Sequence, residues 1–80
     1  MLRFRGWLID YFGEPEATIN ASNVTVRDIL AKLDKGDGEI LSAVDRKALF
    51  ISVNSRVVYD LTAQLSNDDL VTLFPIGSGG

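Results

Sequence analysis

The chain has 80 residues with eight lysines and arginines, eleven aspartates and glutamates, and neither cysteine nor histidine. That length supports one small domain, and the missing residue types exclude disulfides, thiolate nucleophiles, Ser–His triads and metals held by thiolate or imidazole. A net charge of −3 with 46% hydrophobic residues fits a globular fold and lacks the basic stripe of a nucleic-acid binder.

Residues 1–9 read as a strand, with Leu2, Phe4 and Leu8 on one parity and Arg3, Arg5 and Trp7 on the other. Gly6 marks a bulge or a close backbone approach. Arg3 and Arg5 break the apolar start, so it lacks the layout of a signal peptide. No apolar run approaches the roughly 18 residues of a membrane span. A cytoplasmic protein with no membrane partner is expected. Residues 10–15 hold Gly13 and Pro15 and predict a turn. Residues 16–20 predict a short second strand, in which Ala17 and Ile19 alternate with polar residues.

The clearest element is a helix over residues 26–35. Val26, Ile29, Leu30 and Leu33 fall at i, i+3, i+4 and i+7 and make one apolar face. Thr25 is placed to cap it, and Asp28 stands three residues later, at the acidic position of a capping box. Gly36 is placed to take the left-handed conformation that ends a helix. A loop over residues 35–38 follows, and Ile40, Leu41 and Val44 allow one further helical turn.

Leu49, Ile51 and Val53 alternate with Phe50, Ser52 and Asn54 as a third strand. Asn54-Ser55 predicts a tight turn into residues 56–59, a strand of β-formers. Arg46-Lys47 is expected in a hairpin turn. Residues 61–69 read as irregular, and the acidic set Asp60, Asp68 and Asp69 as a solvated turn rather than a metal site. Residues 70–74 form the last strand, which Pro75 stops. Strands at both ends and one long amphipathic helix describe an α+β layer pair, and a mixed sheet wrapped over one helix is the β-grasp. The expected division is a β-grasp domain over residues 1–75 and a flexible Gly-Gly tail over residues 76–80.

Any chemistry is expected at the tail. Two glycines in succession thread a channel too narrow for side chains and leave the terminal carboxylate of Gly80 unhindered. A carboxylate becomes an acyl donor only after activation, for instance as a mixed anhydride with AMP. The bland reading is that Gly-Ser-Gly-Gly is a floppy end or a linker.

The ordered set Val53-Asn54, Leu65-Ser66-Asn67-Asp68-Asp69, Val71-Thr72-Leu73-Phe74-Pro75 and terminal Gly79-Gly80 resembles a known family along essentially the whole chain. That family is the small subunit of molybdopterin synthase (MoaD), with the thiamine-pathway sulfur carrier (ThiS) and the ubiquitin-related modifiers. Three positions depart from its pattern. Ile76 stands where a second proline is usual, Gly77 where a small β-branched residue is usual, and Asn67-Asp68-Asp69 where Asp-Gly-Asp is preferred.

The resemblance implies a sulfur carrier. An adenylating enzyme of the ubiquitin-activating type would use ATP and Mg²⁺ to convert the Gly80 carboxylate to an acyl-adenylate. A sulfur donor would displace AMP and leave a thiocarboxylate. In the MoaD case the large subunit of molybdopterin synthase would accept Pro75, Ile76, Gly77, Ser78 and Gly79 into its active site, and the sulfur would build the dithiolene that holds molybdenum or tungsten. No cofactor or metal would bind this chain directly. If Val71 and Leu73 face the core, alternation puts Leu70, Thr72 and Phe74 on the other face as a docking patch, with Trp7 as a second candidate. Lys32, Lys35 and Lys47 are candidate conjugation targets. Two other readings stand beside this one: a thiamine-pathway carrier or protein modifier, and an interaction module without acyl chemistry.

Overall fold

The computed structural model describes residues 1–20 and 22–76. In chain order the elements are β1 (Leu2–Phe4), α1 (Leu8–Phe12), β2 (Glu16–Ala17), β3 (Val24–Thr25), α2 (Val26–Leu33), α3 (Glu39–Asp45), β4 (Leu49–Val53), β5 (Arg56–Val58), β6 (Gln64–Leu65) and β7 (Val71–Pro75). Five strands form a mixed sheet in the order β2-β1-β7-β4-β5, and β3 pairs with β6 apart from it. The first and last strands lie parallel at its centre, and its other pairings are antiparallel. The helices cover one face, as the expected β-grasp requires. No helix among the described residues is long and apolar enough to cross a membrane.

One core fills the space between sheet and helices. Leu2 and Phe4 of β1, Leu49 and Ile51 of β4, and Val71 and Leu73 of β7 point inward at alternate positions. They meet Val26, Ile29 and Leu30 of α2 and Ile40 and Ala43 of α3. Among the described residues no polar or charged side chain is buried. Two partly buried residues at its edge, Tyr11 and Asp34, each bury one side-chain oxygen (Oη and Oδ1) without a hydrogen-bond partner among the described residues.

Helix α2 starts as its sequence dictates. The Thr25 hydroxyl accepts from the Asp28 amide at 3.2 Å, and the Asp28 carboxylate accepts from the Thr25 amide at 2.9 Å. This reciprocal pair holds the Asp28 carboxyl below the ordinary aspartate range, chiefly through the Thr25 amide. Thr25→Ala removes one half of the box. It is expected to cost about 1 kcal/mol and to lower the melting temperature by about 4–8 °C, as read by thermal circular dichroism. The helix ends two residues earlier than its periodicity predicts, at Leu33, where Asp34 turns extended (ψ 132°). Gly36 does adopt the left-handed conformation (φ 92°), but in the loop beyond the helix.

Four expectations need correction. The strand over residues 1–9 ends at Phe4, because Gly6 (φ 61°) turns the chain out of the sheet. Residues 8–12 are helical, not strand and turn. Leu8, Tyr11 and Phe12 stand at i, i+3 and i+4, so Leu8 faces the core on either reading and the alternation misleads. The second strand keeps only Glu16 and Ala17 of residues 16–20. Arg46-Lys47 is not a hairpin turn. Arg46 caps α3, and Lys47 (φ 59°) swings the chain into β4.

Candidate functional site

The last strand occupies the centre of the sheet. Its residues bond alternately to β4 and to β1. The Val71 amide donates to the Met1 carbonyl at 2.9 Å, and the Arg5 amide donates to Leu73 at 3.1 Å. Pro75 is the last residue of β7, not its stop. It is buried opposite Leu49. By this alternation its nitrogen faces the β1 side, where the chain has already left the sheet at Gly6. A missing N–H there forfeits no ladder bond. The Ile76 amide still donates to the Ala48 carbonyl at 2.9 Å, while its side chain is 67% exposed. The chain is thus anchored from both sides through Leu73 and from the β4 side up to Ile76. Gly77, Ser78, Gly79 and Gly80 lie outside the described residues.

The face opposite the helices is open. Thr72 and Phe74 lie on it and Leu70 lies just before them, all half-buried, while Val71 and Leu73 turn inward as expected. The register sets a row of side chains across this face: Glu16, Arg3, Thr72, Ser52 and Val57. Beside that row Phe74 stacks on Phe50, its cross-strand partner, with ring centroids 5.8 Å apart. A groove of about 290 Å³ runs over this face, lined among others by Arg3, Arg5, Leu70, Thr72 and Phe74. Trp7 is not part of it. Its predicted strand parity does not exist, since it caps α1, where its ring meets Tyr11 edge-on at 5.7 Å. The indole is 44% exposed. A larger groove of about 460 Å³, beside α3 and β5, holds none of the predicted docking or tail residues, though Lys47 lines it.

The motif residues upstream of β7 have a mechanical part. Asn54 and Ser55 both have positive φ (52° and 74°) and close the two-residue hairpin between β4 and β5. The Asn54 amide donates to the Leu70 carbonyl at 2.9 Å. Its side-chain oxygen accepts from the Leu70 amide at 2.9 Å, and its side-chain nitrogen donates to Asp69 at 2.8 Å. Asp69 also accepts from the Ser66 amide at 2.9 Å. Those bonds, the Ser66 amide first, hold the Asp69 carboxyl below the ordinary aspartate range. Asp60 is lowered likewise, first by the Thr62 hydroxyl at 2.6 Å and then by its amide. These carboxylates fasten turns. Among the described residues no three acidic side chains converge in a metal-ligating group. Lys35 is also engaged: its ammonium donates to the Tyr11 carbonyl at 2.6 Å and lies 4.2 Å from the centre of that ring.

Sequence reasoning did not add Arg3, Arg5, Ser52 and Phe50 to the patch. Their parity was legible, but strand order and register, which join them to Phe74, were not. The site so assembled is a rigid central strand beside an open, partly apolar face, leading to a Gly-Gly end. No curated protein matches the chain. The ThiS family model matches residues 2–80, nearly the full length. By that match and its β-grasp sheet, the chain belongs to the ThiS family of ubiquitin-like sulfur carriers.

Proposed function

We propose that the chain carries sulfur as a thiocarboxylate on Gly80 and delivers it as the small subunit of molybdopterin synthase. The observation that supports this most is the continuous run from central strand β7 through Phe74-Pro75 to the Gly-Gly end. A strand fixed on both sides gives the end a defined origin, and the open face around Phe74 gives a partner a surface to grip.

The chemistry belongs to the partners. In an adenylating enzyme with ATP and Mg²⁺, a Gly80 carboxylate oxygen attacks the α-phosphorus and pyrophosphate leaves. A sulfur nucleophile then attacks the acyl carbon, the C–O bond to AMP breaks, and a C–S bond replaces it. The chain itself contributes an unhindered carboxylate and the docking face. Its need for ATP suits the cytoplasm. In the large synthase subunit, Ile76 through Gly79 would occupy the entry path while Pro75 stays buried in β7, and the sulfur would pass to a pterin precursor.

The test is intact mass after incubation with ATP, Mg²⁺, a ubiquitin-activating-type enzyme from the same source and a sulfur donor. The expected gain is the mass difference between sulfur and oxygen. An unchanged mass with every such enzyme of that source ends the proposal. A second reading within the same family is the thiamine-pathway carrier. Adding the loaded chain to the large synthase subunit and a pterin precursor separates the two. Dithiolene formation supports the molybdopterin role, and its absence with thiazole formation in the parallel assay supports the other.

A further inference from the structure

The open face carries a charge opposite to that of the molecule as a whole. The chain has net charge −3, yet the groove beside Phe74 is lined by Arg3 and Arg5 and by no carboxylate. Three hydroxyls, of Ser52, Ser55 and Thr72, line the same groove. Glu16 is the acidic residue in register on this face, directly opposite Arg3. Even so, among the described residues the ion pair within 4.0 Å is Arg46 with Glu39, at 3.9 Å. Neither groove arginine has a side-chain hydrogen bond among the described residues.

Arg3 lies on β1 and Arg5 follows just beyond its end, still bonded to Leu73 through its amide, and both side chains line the same groove. A guanidinium is a planar fork matched to a carboxylate, and it gains most from a partner that brings one. The neighbouring hydroxyls can donate to the remaining oxygen lone pairs. The stacked Phe50–Phe74 pair offers an apolar shelf for the stem of an acidic side chain or for an adjacent aliphatic residue. An acidic partner is repelled by the rest of this molecule and attracted here, so charge selects the face and steers the encounter.

We propose that the Arg3–Arg5 groove is a receptor for carboxylate side chains on the surface of a partner protein. The identity of that partner rests on the carrier reading; the carboxylate preference does not.

Two measurements test this on the full chain. In the first, the 15N-labelled protein is titrated with the peptide acetyl-Glu-Leu-Glu-Leu-Glu-amide and with its lysine counterpart. The acidic peptide is expected to shift the amides of Arg3, Arg5, Ser52 and Thr72, with Kd on the order of 1 mM. Arg3→Glu with Arg5→Glu is expected to weaken that at least about tenfold, as is raising NaCl from about 50 to about 500 mM. The milder pair Arg3→Gln with Arg5→Gln keeps the surface positions polar and guards against a folding artefact. Equal shifts with the lysine peptide, no shifts by about 10 mM acidic peptide, or identical shifts with sodium phosphate alone each overturn the proposal. The last result would mark a small-anion site instead.

In the second, the adenylating enzyme that loads the wild-type chain is assayed against the variants. Docking through these arginines predicts a KM raised at least about tenfold with kcat little changed. An unchanged KM overturns the proposal. Failure of the wild-type chain to load at all would end the carrier reading, while the peptide titration still decides this one.

Discussion

Deleting Gly79 and Gly80 is expected to abolish sulfur loading while leaving the melting temperature nearly unchanged. The shortened chain still ends in a carboxylate, now on Ser78. What it loses is reach, roughly 7 Å of extended chain. Acyl transfer tolerates little misplacement, and about 1 Å at a reacting centre costs about a hundredfold. The described core and ladder bonds all lie at or before Ile76, so stability has little to lose. Intact mass and thermal circular dichroism on one sample separate the two effects. A companion variant, Gly79→Ala with Gly80→Ala, keeps the reach and adds two Cβ atoms. Loading about a hundredfold slower would show that the enzyme's channel is too narrow for side chains. A truncated chain that loads normally would overturn the carrier reading. A chain that loses loading yet keeps a binding partner would show that docking and acyl chemistry are separable. Retained partner binding with no loading in the intact chain would favour the plain interaction module.

Legibility followed the length scale of the signal. The α2 face and its capping box repeat over two turns, so four apolar positions and two cap residues agree, and the structure has them where the spacing puts them. The hairpin at Asn54-Ser55 was legible from turn chemistry between two β-rich runs. The two-residue strands β3 and β6 carry no periodicity at all, and β6 lies inside the stretch read as irregular. Segment 5–12 failed because Leu8 satisfies both a period of two and a period of 3.6, and the deciding residue was Gly6, whose positive φ ends the strand. For the site, parity told which side of β7 each residue occupies. It could not tell that β1 and β4 flank β7, which is what brings Arg3, Phe50 and Ser52 beside Phe74. That pairing joins residues from opposite ends of the chain and leaves no local trace in sequence.

Asn54 shows how a motif residue can serve function without touching the chemistry. Asn54→Ala is expected to cost about 2–4 kcal/mol. Two side-chain hydrogen bonds, to the Leu70 amide and to Asp69, are lost at about 0.5–1.5 kcal/mol each. Alanine at φ 52° adds about 1 kcal/mol of backbone strain that asparagine tolerates better. Asn54→Gly removes the same bonds but relieves the strain, so it should be about 1 kcal/mol less damaging. Chemical denaturation of the three proteins measures this. The order wild type, Gly, Ala supports a clamp whose parts are bonds and conformation together. Equal stability of Gly and wild type would mean the side-chain bonds contribute nothing. Acid provides an independent check on the Asp69 half. Its carboxyl is held below its unfolded value, so its contribution is present above about pH 4 and fades as pH falls through the lower folded-state value. The gap between wild type and Asn54→Ala should therefore narrow below about pH 4 and stay constant above about pH 5. Because Asn54 ties the hairpin to Asp69 and Leu70 just before β7, its loss loosens the near end of the strand that leads toward Gly80. Sulfur loading should slow only in proportion to the fraction unfolded, which distinguishes a clamp from a reacting group.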